Sequence, residues 1–303
     1  MKLLLSLTIQ SLWHRRSSAL LTLITIAFSI MLLLGVEKVR TETRNSFANT
    51  LSGTDLVVGA RSGQVQLLLY SVFRMGDATS NISWQTFQKI NNHRLVDWTI
   101  PISLGDSHRG YKVLGTNENY FKHYRYGNRR ALEISDGKEF SGLFDVVLGA
   151  EVAEKLNYKV GDRIVVSHGM GDTSFARHDD KPFTISGILS RTGTPVDQTL
   201  HLSLEALEAI HIDWKSGVRD KNSTVTVTDV EKMQLQPKQI TAFLVGMKSK
   251  VANFQLQRAI NNYRKEPLMA ILPGIALQKL WDMIGLAERA LLLVSGLVVL
   301  VGF

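Results

Sequence analysis

The feature that most constrains this chain is a run of twenty residues without a charge, 17–36, which reads SSALLTLITIAFSIMLLLGV. As a helix it would rise about 30 Å, the thickness of the hydrocarbon core of a bilayer. The alternative is a cleaved signal peptide. Against it, the run exceeds the roughly 7–15 apolar residues of such peptides, and no A-x-A-like cleavage site follows. We therefore expect a transmembrane helix over 17–36.

The charges beside this run predict its orientation. Arg15 and Arg16 lie directly before it, no acidic residue occurs within 1–16, and Glu37 and Glu42 follow it. Because positive charge is retained on the cytoplasmic side, the N-terminus is expected inside the cell and the chain after the run outside. The apolar and basic residues of 1–16 predict an amphipathic helix on the inner leaflet.

A second apolar region closes the sequence. Apolar residues recur at helical spacing from Leu277 to Leu291, and residues 291–303 are apolar throughout but number only 13, fewer than the about 20 that span a bilayer. We expect an amphipathic helix and the truncated start of a second transmembrane helix over 276–303. Trp281 is the residue expected to orient this segment at the membrane.

The residues between these regions, 37–275, predict a mixed α+β domain outside the cytoplasm. Serines stand in N-cap position before two helical patterns, Ser83–Asn91 and Ser203–Ile210. Strand-like runs bounded by glycines are predicted at Asp55–Gly59, Thr99–Leu104, Tyr111–Leu114, Val146–Leu148, Arg163–Ser167 and Phe183–Leu189. A β-α-β unit is predicted at Thr241–Met247, Val251–Tyr263 and Leu268–Leu272.

Composition excludes several functions. The net charge is +8, but about half of it lies within residues 1–44, where it serves membrane topology, so we expect no nucleic-acid partner. The chain has no cysteine, which excludes disulfides, thiolate metal sites and a cysteine nucleophile. Residues 169–171, Gly-Met-Gly, lack the Lys-Ser/Thr of a phosphate-binding loop. ATP hydrolysis is therefore expected in a partner subunit and not in this chain.

The segment Gly105–His108 (GDSH) superficially offers a nucleophile and a base for a membrane-tethered hydrolase. Adjacent residues rarely face one another as catalysis requires, and no oxyanion-hole motif accompanies them. We predict a hairpin turn here and no enzymatic activity.

Two histidines bracket an acidic, glycine-bearing stretch, HGMGDTSFARHDD. Imidazole and carboxylate together suit Zn²⁺, so His168, His178 and Asp179 are candidate metal ligands. The alternative is that they are solvated loop residues, since no H-E-x-x-H motif occurs and a ten-residue gap fixes no geometry.

The order of parts resembles the MacB/LolC/FtsX-like permeases of type VII ABC transporters. The N-terminal 36 residues are similar to the family's first helix and span. Five further stretches carry the resemblance. Four look like its periplasmic core domain: GTDLVVGARSG, PISLGDSHRGYKVLGT, VVLGAEVAEKLNYKVGDRIVVSHG and FTISGILSRTGTPVD. The fifth, LWDMIGLAERALLLVSGLVVLVG, looks like the opening of its FtsX-type domain. The family's later spans are absent, so we expect the natural protein to continue.

The resemblance implies a mechanism, in which ATP-driven closure of a partner ATPase is transmitted through the spans to the periplasmic domain for export, extraction or periplasmic substrate handling. It also implies a fold. Residues 37–115 and 216–275 would form a porter-like subdomain and 116–215 a strand-rich, Sabre-like insertion. The protein would lie in the bacterial inner membrane, with this domain in the periplasm. Its partners would be a cytoplasmic ATPase that binds the ATP, a second permease, membrane lipid and a periplasmic protein. No cofactor is expected in the chain itself, zinc apart. The alternatives are a zinc-linked ABC system and a single-pass ligand sensor or adaptor.

Overall fold

The computed structural model describes residues 15–168, 181–212, 214–215, 218–219, 229–230, 233 and 235–302. The chain divides into two units, Met1–Ser46 and Phe47–Phe303. The first unit contains most of one long helix, α1 (Arg16–Thr50), and the second contains the last turn of that helix and every other element.

The second unit is a mixed α+β domain. Its helices are α2 (Gln64–Val72), α3 (Trp84–Asn91), α4 (Asn119–His123), α5 (Ala150–Leu156), α6 (Leu204–His211), α7 (Asn253–Asn261) and α8 (Pro273–Gly302). Its strands are β1 (Leu56–Ala60), β2 (Ile82–Ser83), β3 (Val96–His108), β4 (Tyr111–Thr116), β5 (Arg125–Tyr126), β6 (Arg130–Ala131), β7 (Ile134–Gly137), β8 (Asp145–Leu148), β9 (Arg163–Ile164), β10 (Ser167–His168), β11 (Phe183–Leu189), β12 (Thr199–Ser203), β13 (Trp214–Lys215), β14 (Val218–Arg219), β15 (Gln239–Ile240), β16 (Ala242–Met247) and β17 (Leu268–Ile271).

Both predicted serine caps are confirmed. The Ser83 side chain accepts a hydrogen bond from the Thr86 amide at 3.3 Å, and Ser203 accepts one from the Ala206 amide at 3.0 Å. Each bond satisfies one of the amides that the first turn of a helix leaves without a partner. The local sequence therefore starts α3 and α6 where the N-cap rule predicts.

One sheet runs through the domain in the order β17-β1-β16-β3-β4-β12-β8-β11-β7, with β10 paired to β3 and β9 paired to β11. The thirteen-residue strand β3 pairs with β16 through its first half and with β4 through its second half. It therefore joins the strands on its two sides into one sheet. The boundaries predicted for those subdomains stay a prediction.

The turn predicted at Gly105–His108 is wrong. These residues continue β3, and the pairing with β4 shifts its register between Leu104 and Ser107. Gly105 has a φ of +152°, a conformation open to glycine alone, which accommodates this irregularity. The chain reverses four residues later, at Arg109 and Gly110, where φ is positive at both positions.

The predicted β-α-β unit is confirmed with shorter bounds, as β16, α7 and β17. Strand β1 lies between the two strands and is antiparallel to both. Since β17 is an edge strand, its outer backbone groups need another partner. Asn261 of α7 supplies it: its side chain accepts a hydrogen bond from the Ala270 amide at 2.7 Å and donates one to the Ala270 carbonyl at 3.4 Å.

The core forms on both faces of the sheet. Val57 packs with Leu67 of α2 and Leu244 on one face, and its neighbour Val58 packs with Phe87 of α3 on the other, as the alternation of a strand requires. A third cluster joins the strands β8, β11 and β12 to helices α5 and α6. The α+β class expected from the sequence is confirmed.

Among the described residues, no helix combines the length and the apolar character needed to cross a bilayer.

Candidate functional site

Three aromatic rings meet where α1 ends. Phe47, in the last turn of α1, lies 4.2 Å from Phe73 and 5.7 Å from Trp281 of α8, centroid to centroid, and the ring of Trp281 is inclined at 70° to that of Phe47. Edge-on aromatic pairs at such distances stabilise beyond the area they bury. We call these three residues the aromatic junction. It attaches the end of α1 and the first half of α8 to the core that covers one face of the sheet.

Two hydrogen bonds also hold the end of α1. The Tyr124 hydroxyl donates to the Thr50 carbonyl at 2.5 Å, and the Gly127 amide donates to the Asn49 carbonyl at 2.7 Å. The last carbonyls of a helix have no partner within the helix, so these bonds fix the position at which α1 ends. Thr50 itself is 1% exposed.

Tyr124 continues into a buried aromatic cluster. Its ring stacks on Tyr120 at 4.9 Å, and Tyr120 lies 5.0 Å from the imidazole of His201 on β12, centroid to centroid. The contacts therefore run from the end of α1 to the centre of the sheet. Dense packing gives such contacts little freedom to relax separately.

Burial governs the electrostatics of this cluster. It lowers the pKa of His201 to about 3, so the imidazole is neutral at physiological pH and its Nδ1 donates to the Val147 carbonyl at 3.2 Å. Burial also raises the pKa of Tyr120 to about 12, against the opposing charge of Arg74. A neutral histidine and two un-ionised tyrosines suit a packing role.

A separate histidine cluster lies at the far end of β3. The Nδ1 of His108 is 2.6 Å from the Val165 carbonyl, and its Nε2 is 2.9 Å from the Tyr158 hydroxyl. One carboxylate oxygen of Asp106 lies 3.8 Å from Nε2 of His211. We call the latter two residues the Asp106–His211 pair.

The structure places one of the predicted metal ligands beside this pair. The backbone of His168, on β10, is paired in register with Asp106 of β3. The side chain of His168, and His178 and Asp179 altogether, lie outside the described residues. Within the part of the chain that the structure describes, no three His, Asp or Glu side chains are grouped so as to hold a metal ion.

Three residues were predicted to orient the chain at the membrane: Arg15, Arg16 and Trp281. Arg15 and Arg16 are exposed, and Arg16 begins α1. Trp281 is half-buried against Phe47. Sequence reasoning missed the contacts of Phe47 with Trp281 and with Phe73, because residues so far apart along the chain carry no local signal of contact.

Comparison with known proteins identifies the class of this domain. The family model of the MacB-like periplasmic core domain matches residues 19–262. The chain belongs to that family, as its resemblance to the MacB/LolC/FtsX-like permeases predicted. No curated protein matches the chain.

Two solved structures are similar to the chain at low identity. The periplasmic region of MacB from Actinobacillus actinomycetemcomitans is 13% identical, with a TM-score of 0.45, over 77% of this chain and 95% of that one. The extracellular domain of the noncanonic ABC-type transporter YknZ from Gram-positive bacteria is 12% identical, with a TM-score of 0.42, over 72% of this chain and 99% of that one.

Proposed function

We propose that this chain is the permease subunit of an ABC transporter and transmits ATP-driven movement to its periplasmic domain. The observation that carries the proposal is the aromatic junction, where Phe47 of α1 contacts both Trp281 of α8 and Phe73 of the domain core. The alternative is a single-pass sensor or adaptor, which does not need a second helix, such as α8, attached beside the end of α1.

The exposed apolar side chains of α1 and α8 support the proposal that both helices lie in the membrane. On α1, Leu21 is 66% exposed and Met31 is 73% exposed, and on α8 Leu286 and Leu293 are 71% and 69% exposed. Large apolar side chains exposed along a helix are favourable in lipid and unfavourable in water. We propose that residues 17–36 and the end of α8 lie in the inner membrane, with the N-terminus in the cytoplasm.

The proposal needs partners that supply the energy. A cytoplasmic ATPase would bind and hydrolyse ATP, and a second permease would complete the dimer. Closure of the ATPase pair would move α1 and α8. The aromatic junction, as a rigid element, would pass this movement to the sheet, so that the domain alternates between two arrangements.

Co-purification tests this proposal. The affinity-tagged protein, extracted from its own cells in mild detergent, is expected to bring down an ATPase and to raise that enzyme's activity. A Phe47→Ala variant should retain the ATPase but lose most of the stimulation, because Phe47 lies away from the cytoplasmic end of α1. If no ATPase is recovered under mild extraction, the permease proposal fails.

A zinc-linked permease is the second candidate, favoured by the Asp106–His211 pair. Zinc–ligand bonds of about 2.0–2.2 Å place two ligands of one tetrahedral ion about 3.4 Å apart. The two atoms of the pair lie 3.8 Å apart, about 0.4 Å more than this value. With His168 opposite Asp106 in register, we propose that this pair extends the predicted ligand set of His168, His178 and Asp179.

Calorimetric titration of the detergent-solubilised chain with zinc tests the second candidate. Stoichiometric binding is expected to weaken at least tenfold in Asp106→Asn/His211→Gln and in His168→Ala/His178→Ala. His93→Gln, in the loop after α3, is the control and should bind zinc normally. If binding is absent, or is unaffected by both double variants, the zinc proposal is wrong and the permease proposal stands.

A further inference from the structure

Helix α7 and the single 3-10 turn before it, Lys250–Ala252, leave one face uncovered. The inner side chains Leu256 and Ile260 are 2% and 3% exposed, whereas Val251 and Phe254 are 92% and 64% exposed. Contiguous exposed apolar surface on a folded domain marks interaction sites. We call this the α7 surface.

A shallow, open groove of about 510 Å³ lies on the α7 surface, and its lining comes from this one helix: Phe254, Gln255, Arg258, Ala259 and Asn262. These positions recur at the three- and four-residue spacing of one helix face. The groove combines an aromatic ring with side-chain amides that donate and accept hydrogen bonds. It suits an elongated polypeptide segment that has both apolar and polar groups.

The charged side chains of this surface are mainly basic. Residues 248–265 contain five basic side chains and no acidic one. The five, all exposed, are Lys248, Lys250, Arg258, Arg264 and Lys265. The next carboxylate along the chain, that of Glu266, accepts hydrogen bonds from the Ser83 amide and hydroxyl at 2.8 and 2.9 Å. From outside this segment, the Asp55 carboxylate accepts a hydrogen bond from the Asn253 side chain at 3.2 Å, at the start of α7. The surface therefore presents a net positive charge around its apolar residues.

We propose that the α7 surface docks an acidic segment of a partner protein. The partner's apolar side chain contacts Phe254 and Val251, and its carboxylates pair with Lys250 and Arg258. Arginine and an aromatic residue at the centre of a contact are the side chains that most often dominate binding energy. The surrounding lysines accelerate association through electrostatic steering.

The amides of the α7 surface favour a polypeptide over a lipid surface. A bilayer binds protruding apolar and basic side chains and offers its acyl region no backbone groups for side-chain amides to bond. Gln255 and Asn262 can instead bond the backbone of a bound segment. The α7 surface is distinct from the aromatic junction, so this proposal and the permease proposal can fail independently.

Selection from a random peptide library tests the proposal on the full chain in detergent. Peptides enriched on the chain are expected to combine Asp or Glu with an aromatic or aliphatic residue. They should bind Phe254→Ser/Arg258→Glu at least tenfold more weakly. Val160→Ser, at an exposed valine away from α7, is the control and should bind them unchanged. Both replaced α7 residues are exposed, so the melting temperature should not change.

Three results would overturn the proposal. The first is enrichment of peptides without acidic residues, or peptides that bind the double variant equally well. The second is binding of the chain to phosphatidylglycerol vesicles that Phe254→Ser/Arg258→Glu abolishes, which would assign the surface to lipid. The third is concentration-dependent self-association, measured by sedimentation, that the same variant abolishes, which would assign it to a second copy.

Discussion

Phe47 and Trp281 lie edge-on at 5.7 Å between ring centroids, although they come from opposite ends of the chain. Phe47 lies in the last turn of α1, and Trp281 lies in α8, at the other end of the domain. Phe73 contacts Phe47 from within the core at 4.2 Å. The domain thus holds both of its flanking helices at one place, and the predictions below follow from that arrangement and from the cluster beside it.

The aromatic junction should be energetically coupled. Phe47→Ala and Trp281→Ala are each expected to lower the free energy of unfolding by about 1–3 kcal/mol, less than for fully buried rings. A double-mutant cycle should give a coupling of about 0.5–1.5 kcal/mol. Thermal unfolding followed by circular dichroism measures it. Phe254→Ala, at an exposed ring, is the control and should change stability by less than about 0.5 kcal/mol. Strict additivity of the two losses would contradict contact between the rings.

The hydroxyl of Tyr124 should contribute through one hydrogen bond. Tyr124→Phe removes the donor to the buried Thr50 carbonyl, at a cost of about 1–2 kcal/mol. Tyr126→Phe is the matched control, since its hydroxyl forms no hydrogen bond with any residue that the structure describes, and it should leave stability unchanged. Equal stability of the two variants would show that Tyr124 does not hold the end of α1.

The neutral His201 predicts a specific acid sensitivity. Its pKa falls from 6.5 to about 3 on folding, so the unfolded chain binds the proton more readily. Stability is therefore full above about pH 6.5 and falls as the pH drops toward 3, by up to about 1.4 kcal/mol for each pH unit. His201→Phe should flatten this dependence, whereas His93→Gln should retain it. An unchanged acid slope in His201→Phe would contradict burial of the neutral imidazole.

Asn261 should protect the edge strand. Asn261→Ala removes both hydrogen bonds of Asn261 with Ala270. Since Gln257 still donates to the Ala270 carbonyl at 3.0 Å, the main loss is the partner of the Ala270 amide, at a cost of about 1–2 kcal/mol. The exposed backbone of β17 should also promote aggregation. Its neighbour Asn262 is exposed, so Asn262→Ala is the matched control. Light scattering during thermal unfolding distinguishes the two variants. Similar aggregation of both would contradict the protective role.

Local signals in the sequence predicted much of this fold. Ser83 and Ser203 begin their helices as the N-cap rule requires, because a cap depends on residues within one turn. The β-α-β unit near residue 250 was predicted for the same reason: apolar spacing is a local property. Helix α2 was not predicted, since its sequence QVQLLLYSV is too short and too evenly apolar to distinguish a helix from a buried strand.

The site depended on contacts that no local pattern encodes. That Trp281 orients its helix at the membrane stays a prediction, whereas its contact with Phe47 was not predicted. The segment at Gly105 was interpreted as a turn because glycine and aspartate favour turns, but the pairing of β3 with two partner strands overrides that preference. Tertiary pairing decided both positions, and a single sequence contains no signal for it.

The most direct test of the central claim follows movement through the junction. Since the chain contains no cysteine, a single fluorophore can be attached at Gln88→Cys, an exposed position of α3. In the complex with its ATPase, ATP, Mg²⁺ and vanadate are expected to change the emission of this fluorophore. Phe47→Ala should reduce the change at least fivefold while the ATPase stays bound. The same change in both proteins, or no response in the parent, would contradict transmission through Phe47 and Trp281.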